Sequence, residues 1–277
     1  MEIKLKIKTK IKREEGPTRN QIWGILKYLS AEIFTEMQRS IGVGQHVNAG
    51  SNDTCQWRLG SKIGVWQQSI EKNQTWELVN LPDKKNKIDI KRVFKVKLNS
   101  DGQVSKHKAR LVARGFLQNQ GIDYNEVFAP VARIETVTLV IAIACKNQWS
   151  LYHLDVKSEF LNGPLEELVF VSQPLGFEIA GKKDMVYKLH KALYGLKQAP
   201  RAWNKKIDQV LIHIGFNKCS GEFGVYVQTL SGVETIIIFL YVDDLLITGS
   251  STSEIKKVKD KLKLSLKWLV LVSFHSS

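Results

Sequence analysis

Cysteine is scarce in this chain of 277 residues: Cys55, Cys145 and Cys219 stand far apart, too few and too scattered for a disulfide framework or a zinc cluster. A reducing, intracellular setting with three free thiols is the expectation. Long apolar runs are missing as well. The longest, Val137–Cys145 (interrupted by Thr138) and Ile236–Val242, fall well short of the roughly 18 residues that span a bilayer, and the second runs straight into Asp243 and Asp244. The basic N-terminus, Met1–Pro17, lacks the continuous apolar stretch of a secretory signal. The sequence therefore predicts a soluble protein, cytoplasmic or nuclear. The six histidines are dispersed, with neither His-x-x-x-His nor Cys-x-x-Cys spacing, which argues against zinc chemistry. Acidic residues are the minority: 27 Asp+Glu face 41 Lys+Arg, a net charge of +14, and such a basic excess points to a polyanionic partner.

What is present suits a folded chain. With 43% hydrophobic and 9% aromatic residues, wholesale disorder and collagen-like or mucin-like character are excluded. At roughly 100–200 residues per domain the length allows one domain or two. In the N-terminal segment Ile3, Leu5, Ile7 and Ile11 alternate with lysines, a two-residue period that fits a solvated edge strand or unstructured arm, or a nucleic-acid-binding extension. Trp23–Met37 is compatible with a helix, and Gly42–Gly64 reads as a loop or linker. Arg92–Leu98 and Lys108–Arg114 flank Asn99-Ser100-Asp101-Gly102, and Asp-Gly is a strong turn signal, so a basic hairpin is predicted. Its cations either face solvent or meet phosphates. Glu135–Asn147 reads as a mostly buried helix, and Leu151–Val156 as a strand that carries Asp155 near its end. Trp203, Ile207, Val210, Leu211 and Ile214 recur at helical spacing, with Gly215 as a stop. Ile236–Val242 and Leu245–Thr248 form two apolar strands joined through Asp243-Asp244, and Ser253–Lys267 is a lysine-rich helix.

The two adjacent aspartates carry the chemical signal. An Asp-Asp pair in a solvated turn is ordinary, but long apolar shoulders favour burial, and a buried carboxylate costs several kcal/mol unless paired or coordinated. Asp155 sits at another strand end, far enough back in the sequence for its strand to lie beside the hairpin. Three converging aspartates would offer hard oxygen ligands suited to Mg²⁺ or Mn²⁺, and two such ions support in-line phosphoryl displacement. Together with the basic charge, this points to nucleotidyl transfer or phosphodiester hydrolysis.

Tyr241-Val242-Asp243-Asp244 resembles the Tyr-x-Asp-Asp box of reverse transcriptases, and further stretches narrow the likeness to copia-type long-terminal-repeat retrotransposons. In family order they are Asn73–Val79, Lys108–Phe116, Gly121–Tyr124, Phe128–Arg133, Leu154–Lys157, Phe160–Gly163 and Leu193–Arg201. The resemblance implies an α+β right-hand polymerase, with fingers and a mixed, largely antiparallel palm over residues 63–263 and a missing or incomplete thumb. Residues 1–62 would form an unmatched basic extension and 264–277 an aberrant or truncated tail. It also implies Asp155, Asp243 and Asp244 as catalytic residues, which together with the Val156 carbonyl would hold two Mg²⁺ or Mn²⁺ ions. Lys97, Arg110, Phe160 and Gln198 would contact the nucleotide, with Phe160 as a steric gate against a ribose 2′-hydroxyl and Arg110 suited to bidentate phosphate recognition. Lys108, Arg114, Lys197 and Arg201 would meet nucleic acid. The implied partners are an RNA or DNA template with primer and deoxynucleoside triphosphates; the oligomeric state stays open. Departures from the family pattern are Glu159 for a usual Ala, Pro164 for Asp, Arg92 for Trp and Thr138 for Arg. The expectation is an RNA-directed DNA polymerase domain, truncated and weakly active or inactive alone; the alternative is a non-catalytic nucleic-acid-binding remnant, and a metal-dependent nuclease is a weaker third.

Overall fold

The computed structural model describes residues 70–98, 101–266 and 269–272. The expected N-terminal lysine strand, the Trp23–Met37 helix, the Gly42–Gly64 loop and Cys55 lie outside these residues. In chain order the strands are β1 (Trp76–Val79), β2 (Lys87–Ile88), β3 (Ile90–Leu98), β4 (Val104–Ala113), β5 (Leu151–Val156) and β6 (Pro164–Val171). They continue with β7 (Val186–Lys191), β8 (Asn217–Lys218), β9 (Val225–Leu230), β10 (Glu234–Tyr241), β11 (Asp244–Gly249) and β12 (Leu269–Val272). Helices α1 (Ile134–Lys146), α2 (Ala199–His213) and α3 (Thr252–Ser265) complete a mixed α/β chain. Among the described residues no helix is long and apolar enough to cross a membrane.

Two compact units emerge. One holds Pro130–Lys157 and the described residues from Asp208 onward; the other holds the described residues up to Ala129 together with Ser158–Ile207.

The first unit is built on a six-stranded sheet in the order β12-β5-β11-β10-β9-β8, antiparallel at every pairing. From Ile236 to Leu240 β10 is an unbroken apolar run because both its faces are covered there. Its alternate residues Ile237 and Phe239 pack with Leu246 of β11 against Val137, Val140 and Ile141 of α1. Ile236, Ile238 and Leu240, on the opposite side of the strand, are equally buried. Each such side chain contributes about 1.5–3 kcal/mol on removal from water. α3 presents Ile255, Val258 and Leu262 at helical spacing, all buried, and packs against β11. Its Lys259 lies 3.3 Å from the centroid of the Tyr152 ring; burial lowers the pKa of its ammonium group, and Lys263 adds repulsion in the same direction.

The second unit holds a four-stranded sheet in the order β1-β7-β6-β2 and the β3–β4 hairpin. The hairpin follows the sequence pattern closely, pairing Ile90 with Ala113 at its base and shifting register between Lys97 and Leu98. Trp76 and Tyr187 stack at 4.1 Å in a core that includes Leu111, Val169, Leu189 and Leu193. One close approach joins the end of β4 to the turn that follows β7. The N–H of Ala113 donates to the carbonyl of Tyr194 at 2.8 Å. At that spacing two glycines are obligatory: a Cβ on Gly195, whose φ is +91°, would stand 2.1 Å from the Ala113 oxygen, and one on Gly115 would stand 1.9 Å from the Gly195 oxygen.

Candidate active site

Strand register brings two of the three aspartates together. β5 and β11 pair antiparallel with Asp155 directly opposite Asp244, so both side chains leave the same face of the sheet. The N–H of Val156 donates to the carbonyl of Asp243 at 3.1 Å, which holds the β10–β11 turn against the end of β5. The loop comprises Val242 and Asp243, since β10 ends at Tyr241 and β11 begins with Asp244. This differs by one residue from the turn read off the sequence: Asp244 is the first ladder residue of β11. Val242 has φ +57°, a conformation rare for a β-branched residue. Positive φ at the first loop position alone is the pattern of a II′ turn, where Gly is usual. Strain is thus held at the residue preceding the aspartate pair.

Burial grades the three carboxylates. Asp155 is half-buried, Asp243 is 7% exposed and Asp244 is 0% exposed. Asp244 Oδ1 lies 2.6 Å from Nε2 of His153, itself buried. A carboxylate at that depth requires such a partner. His153 is a site residue that the sequence reading overlooked. Its signal was present, because residues two apart in a strand share a face, and His153 lies two before Asp155.

By chemistry alone, the carboxylates of Asp155, Asp243 and Asp244 and the Val156 carbonyl are hard oxygen donors of the type Mg²⁺ takes. Among the described residues no three His, Cys, Asp or Glu side chains form a ready-made metal cage. The aspartates alone would not close a coordination shell; water and phosphate oxygens would complete it, the usual mode for Mg²⁺.

The predicted nucleotide and nucleic-acid residues with described side chains lie in the other unit, in two groups. In the first, Arg110 of β4 places its guanidinium 4.9 Å from the Tyr194 ring centroid. Phe160, on the 3₁₀ turn Glu159–Asn162, meets the same ring edge-on at 4.8 Å. Glu159, the carboxylate that departs from the family pattern, is 7% exposed and accepts a 2.7 Å hydrogen bond from the Tyr194 hydroxyl.

The second group surrounds Gln198. This residue is 2% exposed: Gln118 Nε2 donates to its Oε1 at 2.9 Å, and its Nε2 donates to the Asp123 carbonyl at 2.8 Å. Gln118 Oε1 in turn accepts the Lys197 N–H at 2.8 Å. The exposed Lys197 ammonium donates to the Tyr124 hydroxyl at 3.2 Å. Gln198 therefore ties the Gln118–Asp123 segment to the start of α2 and does not join Arg110 and Phe160. Arg201 is exposed and reaches the Phe128 carbonyl at 3.4 Å, and Arg114 is exposed just beyond β4. Lys97 and Lys108 are placed by backbone register alone, on β3 opposite Lys106 and on β4 opposite Lys95.

Comparison of the sequence with known families and proteins points to one family. The sequence profile described as "Reverse transcriptase (RNA-dependent DNA polymerase)" matches residues 73–275. The chain is 43% identical over 198 residues to the retrovirus-related Pol polyprotein from transposon TNT 1-94 of Nicotiana tabacum, covering 72% of this chain and 15% of that polyprotein. It is 38% identical over 217 residues to the corresponding polyprotein from transposon RE2 of Arabidopsis thaliana, covering 78% of this chain and 15% of the relative. The chain thus spans about 15% of the length of these curated relatives. Among solved structures, a foamy viral protease-reverse transcriptase in complex with double-stranded DNA matches with 13% identity and a TM-score of 0.41, covering 84% of this chain and 32% of that one.

Proposed function

The chain belongs to the reverse transcriptase (RNA-dependent DNA polymerase) family, and we propose that it is the fingers and palm of an RNA-directed DNA polymerase from a copia-type retrotransposon Pol polyprotein. The observation that carries this reading is the β5–β11 register, which sets Asp155 opposite Asp244 beside the turn bearing Asp243. The first unit is the palm, and the β3–β4 hairpin belongs to the fingers.

The reaction is attack of a primer 3′-hydroxyl on the α-phosphate of a deoxynucleoside triphosphate, with loss of pyrophosphate. Two Mg²⁺ or Mn²⁺ ions, when bound, supply the positive charge that favours the attacking alkoxide and the leaving oxygen. Asp155 and Asp243 are the more accessible carboxylates and serve as the principal ligands, joined by the Val156 carbonyl. Asp244 completes the set from the interior, oriented by His153 as outer partners orient metal ligands. In the second unit, Arg110 and Lys97 meet the triphosphate with charge-assisted hydrogen bonds. Phe160 opposes a ribose 2′-hydroxyl. Gln198 holds the Gln118–Asp123 segment through its two buried hydrogen bonds, while Lys108, Arg114, Lys197 and Arg201 contact template and primer.

Primer extension on poly(rA)/oligo(dT) with Mg²⁺ or Mn²⁺ tests the reading. Wild-type chain is expected to extend the primer weakly and without processivity, and an Asp243→Asn/Asp244→Asn double variant is not expected to extend it at all. Equal silence of the two would remove the claim of activity and leave family membership untouched.

A further inference from the structure

We infer that Tyr194 is the positioning residue for sugar selection, holding Phe160 through its ring and Glu159 through its hydroxyl and coupling both to the phosphate-binding cation Arg110. The inference rests on the reading of Phe160 as the gate against a 2′-hydroxyl and adds what holds that gate in place.

Phe160 needs support because of where the chain puts it. It is half-buried on a four-residue 3₁₀ turn that follows Ser158, itself in the left-handed region at φ +54°. So short a turn fixes a side chain poorly on its own. A gate that discriminates one hydroxyl must be placed to a fraction of an ångström, since its selectivity comes from a clash. Tyr194 supplies that placement. Its ring meets Phe160 edge-on, with ring planes 66° apart and centroids 4.8 Å apart, a favoured aromatic geometry. Its hydroxyl donates to Glu159 Oε2 at 2.7 Å, a charge-assisted bond to a carboxylate that is 7% exposed. Two adjacent residues of the turn are thereby held by one side chain.

Tyr194 is itself held. Its carbonyl accepts the Ala113 N–H at 2.8 Å, and the next residue, Gly195, leaves no room for a side chain against Ala113. The Arg110 guanidinium lies 4.9 Å from the ring centroid, within cation–π range. The cation proposed for the triphosphate and the aromatic ring proposed for the sugar are therefore referenced to the same tyrosine. Glu159, unexplained by the family pattern, finds its role here as the acceptor that fixes the tyrosine hydroxyl.

The test reads nucleotide binding, so it does not depend on turnover. Full-length chain is bound to poly(rA) annealed to dideoxy-terminated oligo(dT) with Mn²⁺, and the stabilised complex is titrated with dTTP or UTP. The ratio of half-saturation concentrations is the discrimination. Phe160→Ala is expected to collapse it, which tests the gate. Tyr194→Ala is expected to lower the ratio about tenfold and Tyr194→Phe about threefold, on the scale of an aromatic pair and a hydrogen bond. Glu159→Ala should match Tyr194→Phe, and the double variant should fall no further, because both remove one bond. If Phe160→Ala collapses the ratio while Tyr194→Phe and Tyr194→Ala both keep it, the inference is wrong and the gate stands. A wild-type ratio in Phe160→Ala would overturn the gate. No nucleotide-dependent complex in wild type would overturn both. Tyr194→Phe differs by one hydroxyl and keeps the question decidable should Tyr194→Ala fail to fold.

Discussion

Three glycines separate the two reasons a position can require glycine, and they test the contact on which the Tyr194 region is built. Gly102 has φ +77° and open space, with nothing within 4 Å of where a Cβ would stand; Gly115 carries no left-handed backbone, but its Cβ would lie 1.9 Å from the Gly195 oxygen; Gly195 combines φ +91° with a 2.1 Å approach to the Ala113 oxygen. A side chain in the left-handed region costs about 1–2 kcal/mol, so Gly102→Ala is expected at that level. Both obstacles at the other positions are main-chain carbonyls, which cannot swing aside as a side chain would. Forcing volume into such packing costs about 1–3 kcal/mol, the range expected for Gly115→Ala. Gly195→Ala bears both costs, about 2–5 kcal/mol. At about 2–4 °C per kcal/mol for chains near this size, the melting midpoint should fall least for Gly102→Ala and most for Gly195→Ala, by roughly 4–20 °C for the latter. Thermal unfolding of the full chain followed by circular dichroism measures this. A midpoint for Gly195→Ala no lower than that of Gly102→Ala would refute the main-chain contact between β4 and the Tyr194 turn.

Other sites give sharper functional readouts. His153→Ala removes the hydrogen bond to Asp244, so Mn²⁺ affinity measured by electron paramagnetic resonance should weaken about tenfold or more, with His153→Gln recovering part of it; unchanged affinity would show that His153 does not orient the ligand set. Val242→Gly relieves a left-handed β-branched residue worth about 1–2 kcal/mol while adding about 0.5–1 kcal/mol of chain entropy cost. The urea midpoint should rise slightly, and a clear fall would contradict the strain. If Lys108, Arg114, Lys197 and Arg201 each meet a phosphate, raising salt from 50 to 200 mM should weaken duplex binding about a hundredfold. Arg114→Ala/Arg201→Ala should lower the slope of that dependence by about two, and an unaltered slope would remove those residues from the interface.

Much of this was legible in the sequence where local and global signals agree. The β3–β4 hairpin announced itself through alternation and Asp101-Gly102, and β5 through six residues ending in Asp155 and Val156. The grouping around Tyr194 was not legible. Gln198 and Tyr194 stand four apart in one motif, and nothing in their order says that Gln198 would be 2% exposed with its amide engaged at both ends. Burial of that kind is decided by residues about 75–80 positions away, Gln118 and Asp123 among them.

The Asp-Asp turn shows most clearly why local chemistry was overruled. Turn propensity favours aspartate over valine at a position with positive φ, and the sequence therefore reads as two strands joined through Asp243-Asp244. The chain puts Val242 there instead, at φ +57°. The reason lies in β5. With Tyr241 opposite Asp244 in the β10–β11 ladder, Asp244 falls opposite Asp155 in the β11–β5 ladder. Sliding β11 by one residue to relieve Val242 would turn every side chain of β11 to the other face. Leu246 would leave its packing with Ile237, Phe239 and α1, and Asp244 would lose His153 and the side it shares with Asp155. Several buried side chains and a buried carboxylate outweigh about 1–2 kcal/mol of backbone strain. The strained valine is thus a consequence of the register that brings the carboxylates together, and no window of sequence confined to the hairpin could have revealed it.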